Sequence, residues 1–96
     1  MLTIDTIRTK ILPILERNDI AYAGLFGSVA RGEAREDSDL DLLIRFRGKK
    51  SYFDLVGAEQ ELTEALGQKV DLVTEQGVSR YIKPYILKDL KVIYER

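Results

Sequence analysis

The sequence predicts an α/β (α+β) fold: helices and strands alternate around a small mixed β-sheet that the helices cover mainly on one side. Two periodicities carry this expectation. Ile4, Ile7, Ile11, Ile14 and Leu15 recur at three- and four-residue intervals, the spacing of one helix face. Leu40, Leu42, Ile44 and Phe46 instead alternate with Asp39, Asp41, Leu43 and Arg45, the period-two pattern of a strand with one apolar face. A third observation separates the elements: small-residue or glycine turns stand between them at Gly27-Ser28, at Gly48 and at Gly67.

Taken in order, a first helix is expected near 3–18, with Pro13 kinking it. Ile20–Phe26 is a short apolar strand that ends at Gly27-Ser28, after which Val29-Ala30-Arg31 has helical character. The alternating strand follows at 39–46. A helix near 51–66 takes Ser51 as its cap, turns Leu55, Leu62 and Leu66 inward and stops at Gly67. Tyr52 and Phe53 are expected to pack against the body of the protein. A strand at 69–74, a helical stretch near 78–89 interrupted by Pro84, and a last short strand at Lys91–Tyr94 complete the order α-β-α-β-α-β-α-β. No repeat and no low-complexity linker divides the chain.

Composition bounds the chemistry. Ninety-six residues, 45% hydrophobic and 32% charged, fit one domain over 1–96 with a single modest core. The chain has no cysteine and no histidine, which excludes disulfides, thiolate zinc sites and histidine-based acid–base or nucleophilic catalysis within it. Carboxylates and hydroxyls must carry any reaction, and such donors favour a hard ion such as magnesium or manganese. A net charge of −1 without a long basic block gives no reason to expect direct nucleic-acid binding. The local basic run Arg45-Phe46-Arg47-Gly48-Lys49-Lys50 reads as a solvated loop, with a nucleotide- or partner-facing patch as the alternative. No apolar run approaches the roughly 20 residues that span a bilayer, and the amino terminus lacks a secretory core, so no membrane association and a cytoplasmic location are expected.

The most informative stretch is 26–42, Phe-Gly-Ser-Val-Ala-Arg-Gly-Glu-Ala-Arg-Glu-Asp-Ser-Asp-Leu-Asp-Leu. Asp39 and Asp41 share one face of their strand, with α-carbons roughly 6.6 Å apart, close enough for both carboxylates to turn onto one divalent ion or a pair of ions about 3.5–4 Å apart. Without a cation between them they repel. Upstream, the strand–turn–helix passage places the unpaired first amides of a helix behind Gly27, a turn kept free of bulk where a phosphate could approach. Ser28 either donates its hydroxyl to that phosphate or serves only as an N-cap. Lys69-Val70-Asp71-Leu72-Val73 sets one acid in a β-branched, largely apolar run; Asp71 is either a third site carboxylate or an ion-pair partner of Lys69. Ser38 is read as shaping the turn before the strand.

The pattern apolar-Gly-Ser, ten residues, Asp-apolar-Asp-apolar resembles the signature of the DNA polymerase beta-like nucleotidyltransferase superfamily. The fuller strings Gly-Ser-Val-Ala-Arg-Gly and Asp-Ser-Asp-Leu-Asp-Leu-Leu are similar to its minimal nucleotidyltransferase (MNT) branch, over nearly the whole chain. The resemblance implies the nucleotidyltransferase fold, phosphate binding by Gly27 and Ser28, and magnesium, as one ion or two, on Asp39, Asp41 and the third carboxylate Asp71. It also implies ATP as substrate, in-line attack of a hydroxyl on the α-phosphate and departure of pyrophosphate, with Asp71 orienting or deprotonating the hydroxyl. Arg31 would meet nucleotide phosphate or pair with a site aspartate; its other reading is a surface arginine paired with Glu33, Glu36 or Asp37, and that blander reading is preferred for Arg35.

Members of this branch are commonly encoded beside a HEPN-domain ribonuclease toxin. The resemblance therefore implies an antitoxin that transfers AMP to a tyrosine of a cognate HEPN toxin. Two alternatives remain: a non-catalytic nucleotide-binding antitoxin that acts by complex formation, and transfer to a small molecule, whose enzymes usually carry an added acceptor domain. The acceptor, the nucleotide preference and any homo-oligomer are left open by the sequence.

Overall fold

The structure is a computed structural model that describes residues 3–33, 35 and 37–96. Thr3 starts the first helix, its side chain accepting from the Thr6 amide, and α1 runs over Ile4–Arg17 with Ile7, Ile11, Ile14 and Leu15 buried. α1 continues through Pro13, whose ring nitrogen cannot donate to the Thr9 carbonyl one turn earlier. β1, Ile20–Phe26, is buried along all but its last residue, because it lies inside the sheet. β2 spans Leu40–Phe46 and β3 spans Val70–Thr74. β4, Lys91–Glu95, closes the chain, and the strand order is β3-β2-β1-β4. β1 is antiparallel to both β2 and β4, whereas β2 and β3 are parallel, which makes the sheet mixed as expected.

The faces of the sheet are covered unequally. α1 and α3, Tyr52–Leu66, pack over one face, where Leu25, Leu40, Leu42, Ile44, Leu62 and Val70 lose all contact with water. Burying one such side chain is worth about 1.5–3 kcal/mol, so this layer carries most of the stability. On the other face a smaller cluster joins Tyr22 and Leu43 to Ile86, with Phe26, Val73, Val78 and Leu90 partly buried around it. The short helix α4, Lys83–Asp89, lies on that side, whereas α2, Gly27–Arg31, turns Ala30 and Val29 into the larger cluster. Among the described residues no helix is long and apolar enough to cross a membrane.

Two expectations need correction. Tyr52 and Phe53 do not pack inward; they are 74% and 84% exposed. The Ser51–Asp54 capping box fixes the start of α3 so that its first turn projects beyond the sheet, and burial begins only at Leu55. Pro84 does not interrupt a longer helix. The chain makes turns over Ser79–Ile82, and α4 starts at Lys83 with Pro84 in the first turn, where its missing N–H leaves no carbonyl unserved.

Tyr94 of β4 buries a hydroxyl that has no hydrogen-bond partner among the described residues. A buried unpaired polar group costs about 1–3 kcal/mol, so Tyr94→Phe is expected to raise stability, by up to about 1 kcal/mol after loss of the hydroxyl's packing. A thermal melt showing a clear loss instead would mean that the hydroxyl is satisfied.

Candidate active site

β1 delivers the chain to Gly27, whose φ of +77° lies in the left-handed region that a side chain resists. Space there is as restrictive as conformation: a Cβ on Gly27 would collide with the Asp41 carboxylate. The sheet register explains this proximity. Phe26, the residue before the turn, pairs with Asp41 across β1 and β2, and Asp41 pairs with Asp71 across β2 and β3. The turn, Asp41 and Asp71 therefore lie side by side on three adjacent strands, each about 4.8 Å from the next. Asp39 sits one residue before β2 and, by alternation, on the same face as Asp41.

Electrostatics report the crowding. Burial pushes the Asp41 carboxyl above the usual carboxylate range, and the charges of Asp71 and Asp39 push it further; the Arg31 guanidinium opposes them. Asp71 is raised too, first by burial, then by its contact with Asp39, while Lys69 pulls the other way. Lys69 Nζ stands 4.0 Å from Asp71 Oδ1, both groups well exposed, so this pair is too weak to offset the repulsion. Asp71 thus faces Lys69 and lies beside the other two aspartates at the same time.

These donors are all carboxylate oxygens, the set that suits a hard divalent ion, and like charges held together favour a cation among them. Among the described residues, however, no group of three or more acidic side chains is already arranged to hold a metal. The strand register brings the α-carbons together; gathering the oxygens around one point takes side-chain rotation.

Ser28 is not an N-cap. That position in α2 belongs to Phe26, and no side chain caps the helix, so the hydroxyl of partly buried Ser28 is not spent there. Arg31 is engaged otherwise than by a phosphate: Nε donates to Glu33 at 3.1 Å and Nη1 to Asp89 at 2.9 Å. Glu33 was among its expected partners; Glu36 lies outside the described residues. Its charge still reaches Asp41, so both readings of Arg31 retain a structural basis. Ser38 closes the turn before β2 by accepting from the Arg35 amide at 2.8 Å.

One neighbour escaped the sequence reading. Glu59 of α3 accepts from the Leu72 amide at 2.9 Å, and Thr63 accepts from the Val70 amide at 3.0 Å, so the helix ties down the edge strand on both sides of Asp71. The signal was present: Leu55, Glu59, Leu62 and Leu66 form one helical stripe, and an acid on an otherwise inward stripe requires a donor. A cavity of about 740 Å³ lies elsewhere, lined by Ile44, Phe46, Lys50, Tyr52, Leu55 and Thr74 among others. It opens at the far ends of β2 and β3, roughly 10 Å along the strands from the carboxylates.

The raised carboxylates give a pH-dependent expectation. A carboxyl whose folded pKa exceeds its unfolded value adds stability below the unfolded pKa and loses it as pH rises through the folded one. Asp71→Asn should therefore leave metal-free stability at neutral pH unchanged or higher, with the advantage vanishing near pH 4, about the ordinary aspartate value. The gain in melting temperature from added magnesium should shrink in the variant. If Asp71 served only Lys69, melting curves would show a slight loss without metal and an unaltered magnesium response.

A glycine turn beside aspartates on a mixed sheet is the architecture of a nucleotidyltransferase domain, and comparison with known proteins agrees. The model of the family described as "Polymerase beta, Nucleotidyltransferase" matches residues 9–96, and the chain belongs to that family. It is 41% identical over 88 residues to the Methanocaldococcus jannaschii protein named "Putative protein adenylyltransferase MJ0435", covering 92% of this chain and 95% of that one. It is 34% identical over 94 residues to the protein adenylyltransferase MntA of Thermococcus cleftensis, covering 94% and 95%. In three dimensions it is similar to a chain of a toxin–antitoxin complex with AMP-PNP, with a TM-score of 0.82 at 24% identity over 93% of this chain and 73% of that chain. A chain from a complex of tri-AMPylated Shewanella oneidensis HEPN toxin with MNT antitoxin superposes with a TM-score of 0.77 at 21% identity, covering 98% and 74%. At these identities the structural likenesses establish the fold.

Proposed function

We propose that this protein is an antitoxin that transfers AMP from ATP to a tyrosine hydroxyl of a cognate HEPN toxin and so neutralises it. The observation that carries the reading is the register that aligns the Gly27 turn, Asp41 and Asp71 across three strands, with Asp39 one residue upstream of β2. Further support comes from the adenylyltransferase names of its relatives and from the toxin–antitoxin complexes to which its fold is similar.

Asp39, Asp41 and Asp71 would hold magnesium, as one ion or two, which when bound neutralises charge on the α-phosphate. Gly27 keeps the turn open to the nucleotide's phosphates, and Ser28 offers them its hydroxyl. Asp71, aligned with Asp41 on the edge strand, would orient the acceptor hydroxyl and take its proton. A bond then forms between the tyrosine oxygen and the α-phosphorus, and the bond to the pyrophosphate oxygen breaks, leaving pyrophosphate to depart. Arg31 would shield Asp41 or, on leaving Glu33 and Asp89, meet a phosphate.

The deciding experiment is incubation with magnesium and labelled ATP, with and without the HEPN protein, followed by mass analysis of both chains. Addition of AMP to the HEPN chain at tyrosine is expected. No label on either chain, with the protein folded, would refute the transfer reading.

A further inference from the structure

The span from Arg80 to Lys91 carries features that neither the fold nor the carboxylate site requires. α4 turns Ile86 inward, against Tyr22 and Leu43 on the sheet face that bears the aspartates. Its other side, with the turn before it, leaves Tyr81, Ile82, Tyr85 and Leu87 between 49% and 75% exposed. Four exposed cations accompany them, Arg80, Lys83, Lys88 and Lys91, and none forms an ion pair among the described residues. The only acid in the span, Asp89, is already held by Arg31 at 2.9 Å. Apolar surface and unopposed positive charge thus coincide on one short stretch of chain.

We propose that this face is the docking surface for the protein that receives the nucleotide, a partner presenting an apolar centre within an acidic rim; the proposal rests on the reading given under Proposed function. Charge complementarity selects an acidic occupant. Aromatic and basic residues together are the usual composition of a protein-binding centre, and the aliphatic side chains of Ile82 and Leu87 would gain nothing against nucleic-acid phosphates. A second copy of this chain is disfavoured, because a two-fold contact would set the same four cations against themselves. A helix of seven residues is too short to lie on a membrane by its own apolar face. Position agrees with charge. α4 packs on α2 and on β1, and the Arg31–Asp89 pair ties its end to the helix that begins at the phosphate turn. A protein seated on α4 therefore stands beside the site that must reach its hydroxyl.

The test compares the wild-type chain with Lys83→Glu/Lys88→Glu and with Tyr85→Ala, all exposed positions whose replacement spares the core. Affinity for the purified HEPN-domain protein encoded nearest to this chain is measured by calorimetry at low and high salt. KM for that protein, kcat, and magnesium-ATP affinity are measured in parallel. Each variant is expected to bind the HEPN protein about tenfold more weakly or worse, and to raise KM by a similar factor. kcat at saturation and magnesium-ATP affinity should not change, and the charge-reversal variant should lose most of the salt dependence. Unchanged affinity in both variants would overturn the docking surface while leaving AMP transfer intact. A wild-type chain that binds the HEPN protein without transferring AMP would refute the transfer reading, and the affinity comparison would still decide the surface. A wild-type chain that fails to bind it at all would refute this occupant.

Discussion

Asp39→Asn and Asp41→Asn should each reduce AMP transfer by about 10³-fold or more, because metal-assisted charge stabilisation supplies several kcal/mol and each 1.36 kcal/mol is tenfold in rate. Asparagine keeps the shape of the side chain and removes its charge, so the fold should survive. For Asp41 the substitution also removes a carboxylate held above its usual pKa by burial and by two like charges, so metal-free stability should not fall. Transfer is read by labelled ATP against the HEPN protein, and folding by thermal melts of the same samples. Full transfer by a folded double variant would remove the aspartates from the chemistry. Loss of transfer with toxin binding and neutralisation intact would instead make complex formation the antitoxin's means of action.

What the sequence made legible here is local. Asp39 and Asp41 declare their shared face because a strand's side chains alternate with period two, and Leu40, Leu42 and Ile44 leave no doubt which face is buried. The limits of β1 and the helix cap at Ser51 were readable for the same reason, since each depends on neighbours a few residues away. Asp71 could be nominated as an acid in an apolar strand, but its alignment with Asp41 depends on β2 and β3 pairing in parallel. That register is set by α3 crossing between them, which no single stretch of sequence displays.

The rest was hidden by distance along the chain. Arg31 meets Asp89, 58 residues away, only because the fold brings α2 and α4 against each other. Glu59, an acid on an inward helical stripe, signals that it needs a donor, but which donor is fixed only by the fold, where β3 is an edge strand whose outward amides need acceptors. Tyr52 and Phe53 illustrate the opposite error: hydrophobic character suggested burial, while the position of the helix cap carried them past the sheet. Their exposure, like that of Tyr81 and Tyr85, depends on where the layers end.

Replacing Gly27 should weaken nucleotide binding far more than replacing Ser28. Gly27→Val meets two obstacles: a φ of +77°, which costs a residue with a side chain about 1–2 kcal/mol, and the Asp41 carboxylate in the space its Cβ needs. Relief of the collision displaces either the turn or Asp41, and both lie where phosphates would be held. Gly27→Ala already introduces the offending atom, so it should share most of the defect. Ser28→Ala removes at most one hydrogen bond, about 0.5–1.5 kcal/mol net, or roughly tenfold in affinity at the upper end. Calorimetry with magnesium-ATP on folded protein should therefore order the affinities as wild type, Ser28→Ala, Gly27→Ala, Gly27→Val, from strongest to weakest. Wild-type affinity in Gly27→Val would place the nucleotide away from this turn, whereas a defect in Ser28→Ala as deep as in Gly27→Val would make the hydroxyl, rather than the open backbone, the principal phosphate ligand.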